Sequence, residues 1–97
     1  MFDVTKEAGF STVFLLFAQY GGQAVIPIET VCRDYFNHLT PQVFLRRIAT
    51  GDIQIPVVRA DLSQKCQKGI HLQDLAEYID RRRDAASKEF RLLHNVR

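Results

Sequence analysis

Thr40-Pro-Gln-Val-Phe-Leu-Arg-Arg-Ile-Ala-Thr-Gly51 carries its own start and stop signals. A threonine hydroxyl can accept from an otherwise unsatisfied first-turn N–H, and Pro41 suits the first helical position, where no N–H is needed. Gly51 suits the left-handed residue that closes a helix. Val43 stands where a capping box would need Glu or Gln, so the threonine caps alone. The signals enclose a helix of about three turns, roughly 16 Å long. At about 100° per residue, Pro41, Phe44 and Ile48 gather on one side with Leu45 at the margin. Gln42, Arg46, Ala49 and Thr50 fall opposite, and Val43 and Arg47 lie on the flank between. Such a face suits the floor of a DNA major groove, since arginine binds guanine bidentately, glutamine binds adenine, and alanine permits close approach. Taken alone, the same helix is also an ordinary amphipathic helix with solvated arginines. The flanking segments decide between the two.

Upstream, Ile28, Val31, Cys32, Tyr35 and Phe36 recur at three- and four-residue steps, with Glu29, Arg33 and Asp34 outside. They predict a helix from about Ile28 to Phe36. Asn37-His38-Leu39 is then a tight connection in which Leu39 can plug the corner. Two short helices so joined form a helix-turn-helix, and Thr40–Gly51 is its reading helix. Gln23–Pro27 is expected to be extended, because Ile26 precedes a proline.

Downstream, Asp52-Ile-Gln-Ile-Pro-Val-Val-Arg59 has β-branched strand content, and Pro56 restricts it to an edge or bulged strand. Asp61–Gly69 reads as a hairpin loop and Ile70-His-Leu72 as the return strand. A hairpin carrying Lys65 and Lys68 directly after a helix-turn-helix is a wing, placed to meet phosphates or the minor groove. The last helix should start near Gln73 or Asp74 and run to about Leu93, with Asp74, Glu77 and Asp80 early and Lys88 and Arg91 late, as the helix dipole favours. Its second half outruns a core this small and offers Ala86, Phe90 and Leu93 as a dimer contact. The run Arg81-Arg82-Arg83 reads as a solvated helix face.

Ser11–Gly22 is apolar all round, so periodicity does not separate buried helix from buried strand; its Leu, Ala and Gln content and the Gly21-Gly22 stop lean towards a short helix covering the back of the domain.

The 97 residues suffice for one domain with a modest core, and 46% hydrophobic with 25% charged residues argues against global disorder. A net charge of +2 says little, but its distribution is uneven. Thr40–Leu72 carries Arg46, Arg47, Arg59, Lys65 and Lys68 against Asp52 and Asp61, whereas residues 1–39 carry Lys6 and Arg33 against Asp3, Glu7, Glu29 and Asp34. A basic patch on a nearly neutral chain is a weak nucleic-acid footprint. Cys32 and Cys66 are widely spaced and suggest reduced cytoplasmic thiols. Val13–Ala18 is too short to span a bilayer, and the acidic residues before it make a poor signal peptide. No histidine has metal-ligand spacing with either cysteine, and no phosphate loop or nucleophile elbow occurs, so neither cofactor, metal, small-molecule substrate nor enzymatic activity is expected.

Several ordered blocks carry a family likeness: Thr12-Val-Phe-Leu-Leu-Phe-Ala-Gln-Tyr20, Ile26-Pro-Ile-Glu29, Asp34-Tyr-Phe36, Gly51-Asp-Ile-Gln-Ile-Pro-Val-Val-Arg59, Ser63-Gln-Lys65 and Ile70-His-Leu-Gln-Asp-Leu-Ala76. From about residue 12 to residue 83 the chain resembles the pyocin activator protein family of PrtN type. More distantly, residues 28–83 resemble the excisionase-like winged helix-turn-helix, in which the reading helix ends in Gly-acid-aliphatic, as Gly51-Asp52-Ile53 does here. The first resemblance implies a small bacterial transcription activator, switched on by DNA damage and binding repeated boxes upstream of genes for phage-tail-like bacteriocins.

The expected fold is therefore α+β, an excisionase-like winged helix-turn-helix with an extra N-terminal apolar segment and a long C-terminal helix. Residues 1–10 should form a flexible leader, 11–83 the DNA-binding domain and 84–97 a helical extension. Gln42 and Arg46 are the expected base readers, with Val43 and Ala49 against base methyls. Thr40 caps the helix and can meet a phosphate, and Arg33 and Arg47 are phosphate clamps. Ser63, Gln64, Lys65 and Lys68 are wing contacts, and Arg59 braces a phosphate or Asp61. The expected partners are double-stranded promoter DNA, RNA polymerase and a second copy of the chain. Two other functions fit the same pattern: an architectural protein that bends DNA at a recombination site, and a protein-interaction module acting through the last helix.

Overall fold

Phe44, Ile26, Ile70, Leu75 and Val31 are the largest fully buried side chains, and they come from five different segments of the chain. In the computed structural model, which describes residues 11–63 and 66–94, those segments are the elements of an α+β fold. Their order is α1 (Thr12–Gln19), β1 (Val25–Pro27), α2 (Ile28–Tyr35), α3 (Pro41–Ala49), β2 (Val58–Arg59), β3 (Lys68–His71) and α4 (Leu72–His94). The leader expected at residues 1–10, the wing residues Gln64 and Lys65, and residues 95–97 lie outside the described residues.

Within the Ser11–Gly22 stretch, Thr12–Gln19 is helix. The Ser11 side chain accepts from the Phe14 N–H, the cap that starts α1. Gly21 and Gly22, at φ +62° and +82°, turn the chain out of it. α1 packs on α4 through Leu16, which is buried, and Thr12 Oγ1 donates to Asp80 Oδ1 at 2.6 Å.

The sheet has three antiparallel strands in the order β1-β3-β2. Val25 pairs with His71 and Pro27 with Gly69 on one side of β3, and Val58 pairs with Gly69 on the other. Pro27 ends an edge strand, where its missing N–H costs no ladder bond. The sequence suggested an extended segment at 23–27 but no strand, because its partner lies more than forty residues away in the chain.

One expectation needs correction. Residues 52–57 are not strand, and only Val58 and Arg59 join the ladder. Ile53 and Ile55 are buried while Gln54 and Pro56 are exposed, so the alternation is real. It serves a connector that lies on the core without a strand partner. The Gln54 carbonyl is taken by Arg81, whose Nη2 donates to it at 2.7 Å. The return strand also starts earlier than Ile70, at Lys68, and α4 follows β3 with no intervening residue. His71 Nδ1 accepts from the Gln73 N–H at 3.0 Å, and the Leu72 N–H donates to the Ala24 carbonyl at 2.8 Å, so the first donors of α4 are satisfied.

Candidate nucleic-acid interface

Local chemistry fixes α3. Thr40 Oγ1 accepts from the Val43 N–H at 3.2 Å, Pro41 holds the first position, and Gly51 adopts φ +88°. Beyond that glycine the Asp52 and Ile53 N–H groups both donate to the Arg47 carbonyl, at 2.9 and 3.2 Å, closing the helix end. Phe44 pins the apolar side. It is 0% exposed, and its ring lies 4.8 Å from that of Phe36, which in turn meets Tyr78 of α4 at 5.7 Å. Burying one such ring is worth about 1.5–3 kcal/mol. Leu39 packs against the same core from the α2–α3 connection.

With Phe44 fixed, the helix has no rotational freedom, and the opposite side faces water. Gln42, Arg46, Ala49 and Thr50 are exposed, and Val43 and Arg47 are half-buried at the flank. Arg47 stays near Asp52, Nε to Oδ2 at 4.0 Å, a distance that leaves the guanidinium available for another anion.

The hairpin β2–β3 stands beside this helix. Leu45, Ile48 and Ala49 of α3 face Pro56 and Val57 of the connector across a groove of about 320 Å³. Arg59 and Lys68, paired with each other across the hairpin, line the same groove. Of the expected reading face only Ala49 lines this groove, where it meets Arg59 and Lys68 of the hairpin; Gln42, Val43, Arg46 and Arg47 lie outside it. At the hairpin's far end Asp61 Oδ1 accepts from the Ser63 N–H at 2.6 Å and the Asp61 carbonyl accepts from Cys66 Sγ at 3.3 Å, which shapes the loop. Leu62, 95% exposed, sits on that loop and escaped notice in the sequence, although an apolar residue in a polar loop was a legible signal.

Arg33 is placed elsewhere. Its Nε and Nη2 donate to the two Asp34 carboxylate oxygens at 2.8 and 3.2 Å, and Tyr20 Oη donates to Asp34 Oδ2 at 2.6 Å. This cluster ties α1 to α2, and Arg33 is not among the residues lining the groove. The hydrogen bonds from Arg33 and Tyr20 hold the Asp34 carboxyl below its ordinary range. Burial, reinforced by the Asp34 hydrogen bond, pushes the Tyr20 phenol well above its ordinary value. Both shifts favour the arrangement seen, a carboxylate accepting from a neutral phenol.

Arg81 is exposed, as are Arg82 and Arg83, and it also has a partner the sequence does not show: its guanidinium lies 5.8 Å from the centre of the Tyr78 ring and donates to the Gln54 carbonyl. It anchors the connector that carries the hairpin, a role visible only once α4 and residues 52–57 are adjacent. Both cysteines are free, and no group of three or more metal-binding side chains occurs among the described residues. No helix among them is long and apolar enough to cross a membrane.

The family model for pyocin activator protein PrtN matches residues 12–86, from the start of α1 to well inside α4. The chain belongs to that family. The PrtN match spans every element that builds the groove. No match was found among curated proteins or among solved structures. Membership in the PrtN family points to transcriptional activation of pyocin genes.

Proposed function

We propose that the chain activates pyocin genes as a winged helix-turn-helix protein bound to promoter DNA. In this reading α3 enters the major groove, where Gln42 and Arg46 contact base edges and Val43 and Ala49 pack against base methyls. The β2–β3 hairpin is the wing, lying on the backbone or in the adjacent minor groove. Arg47, Arg59 and Lys68 neutralise phosphates on the two sides of the groove, and Ser63, Gln64 and Lys65 extend the contact along the wing. Thr40 keeps its oxygen for the cap and has its hydroxyl proton to give to a phosphate. RNA polymerase is the second partner that activation requires.

The observation that carries this reading is the shared groove, in which the cations Arg59 and Lys68 stand beside the small residue Ala49 of α3. A helix presenting Gln and Arg is common; a basic hairpin standing beside that helix is what supports the reading.

The test is binding of the pure protein to a pyocin promoter fragment and to a random fragment of equal length, each at two salt concentrations. Promoter-selective binding that is lost with Arg46→Ala is expected. Equal, salt-sensitive binding to both fragments would reduce the protein to a non-specific binder. A bend in the fragment without stimulated transcription would favour the architectural role, and absence of binding would refute the reading.

A further inference from the structure

α4 is a 23-residue helix, about 35 Å long, but the domain covers only its first half. Leu72, Leu75 and Ala76 are buried and Ile79 packs against the core, whereas from Asp80 to His94 every residue except Ser87 is exposed. The contact of Thr12 with Asp80 marks where α1 begins alongside α4. Beyond it, α4 continues for roughly 21 Å.

The helical repeat places Leu72, Leu75, Ile79, Ala86, Phe90 and Leu93 on one stripe, so the side that is seated on the domain in the first half runs on in water. Phe90 and Leu93, on that stripe, are 61% and 69% exposed. A second apolar surface lies on α1. From Ser11 to Ile28 no charged residue occurs, and Leu16 uses only one side of the helix. Leu15 and Phe17, 52% and 54% exposed, flank Ala18 on the side away from α4.

We infer that these two surfaces belong together in a symmetric homodimer, in which the free half of α4 of each copy packs across the outer face of α1 of the other. Two observations select a second copy as the occupant. First, α1 against the α4 stripe is already a working contact within the chain, through Leu16, Val13 and Ile79, so the tail meets in its partner the kind of uncharged apolar surface its first half meets at home. Second, the areas agree. At about 200 Å² for a fully exposed large apolar residue, Leu15, Phe17, Phe90 and Leu93 leave roughly 470 Å² in water. A stable dimer buries about 800 Å² per partner, roughly 55–65% of it apolar, so these four residues supply most of the apolar share and Ala18 and Ala86 add to it. A two-fold axis makes the contact reciprocal, so each copy donates one tail and receives one. Neither surface includes α3 or the hairpin, and the inference stands independently of the DNA reading.

The experiment is sedimentation equilibrium of the full chain without DNA, from about 1 to about 100 µM. The wild type is expected to be dimeric across the upper part of that range, and Phe17→Glu and Phe90→Glu are each expected to be monomeric. Both side chains are exposed, so circular dichroism and melting should show both variants folded, and Leu15→Lys replaces Phe17→Glu should the latter fail that check. The decisive arm mixes the two variants. A mixed pair keeps one intact α1–α4 contact, namely α1 of the Phe90→Glu chain with α4 of the Phe17→Glu chain, so mixing restores dimer. A monomeric wild type overturns the inference, and so does a mixture that stays monomeric; α1-on-α1 contacts would leave Phe90→Glu dimeric and tail-on-tail contacts would leave Phe17→Glu dimeric, and either result overturns it too.

Discussion

Gly69 offers the most direct measurement of how tightly the sheet holds the hairpin against the rest of the fold. Its backbone is ordinary extended strand, so a side chain there is not excluded by conformation. Space excludes it. A methyl carbon built on Gly69 lies 2.6 Å from the Ile26 carbonyl oxygen and 2.6 Å from Val25 Cγ1. Relief to normal contact requires β1 and β3 to separate by roughly 1 Å, enough to break the ladder bonds between them. Overpacking of this kind costs about 1–3 kcal/mol, offset by about 0.4–1 kcal/mol from the stiffer unfolded chain. Gly69→Ala should therefore lose about 1–2 kcal/mol net, and at about 4–8 °C per kcal/mol its Tm should fall by roughly 5–15 °C. Urea and thermal unfolding measure this. Two companions separate the causes. Gly51→Ala meets no atom within 4 Å, so its loss reflects only the φ of +88°, about 1–2 kcal/mol. Val25→Ala in the Gly69→Ala background removes the side-chain clash but not the carbonyl clash, and should recover part of the loss. Gly69→Ala with wild-type stability would refute the close approach of β1 to β3, and with it the placement of the hairpin.

Other consequences are more local. Thr40→Ala removes the side-chain acceptor for the Val43 N–H and should cost about 1 kcal/mol in urea unfolding, with Thr40→Ser close to wild type. Asp34→Asn should weaken the α1–α2 tie at neutral pH. Because the folded Asp34 carboxyl titrates below its ordinary range, the wild-type advantage is present above about pH 4 and disappears as pH falls through the lowered value. Tyr20, raised in the folded state, gives the opposite limit, its contribution present below about pH 10 and lost above it. A stability difference between wild type and Asp34→Asn that persisted in strong acid would contradict this. Arg81→Met keeps the packing over Tyr78 but gives up the hydrogen bond to the exposed Gln54 carbonyl, and should lower stability by about 0.5 kcal/mol in the same assay.

The parts of the fold that could be read from sequence are those whose causes are local. α3 was legible because Thr40, Pro41 and Gly51 each act on their immediate neighbours, and because one ring, Phe44, decides which side is buried. α2 was legible for a similar reason, although Tyr35, expected in its apolar stripe, is partly exposed and gives its hydroxyl to Gln19 Oε1. The connector 52–57 was misread because period-two burial reports an extended chain lying on a core, not a hydrogen-bonded ladder. Pro56 lacks a donor, and the Gln54 acceptor was claimed by a side chain from α4. β1 and the roles of Arg33, His71 and Arg81 all depend on partners distant in sequence or on a particular rotamer, and no spacing rule carries that information. The groove itself belongs to this class, since the sequence supplied its two walls but not their adjacency.

The sheet has two joints with no loop at all: β1 passes into α2 at Pro27–Ile28, and β3 passes into α4 at His71–Leu72. Since β1 and β3 are antiparallel neighbours, α2 and α4 leave from opposite ends of one strand pair. A strand and helix fused without slack behave mechanically as a bent rod. The hairpin strand that carries Lys68 is thus the short arm of a lever whose long arm is the roughly 35 Å of α4. No loop residue lies between strand and helix to absorb a tilt imposed at one end. The angular phase between the groove and the tip of α4 is accordingly set by helix length alone, and one residue inserted between Ile79 and Ala86 would advance the tip by about 1.5 Å and turn it by about 100°.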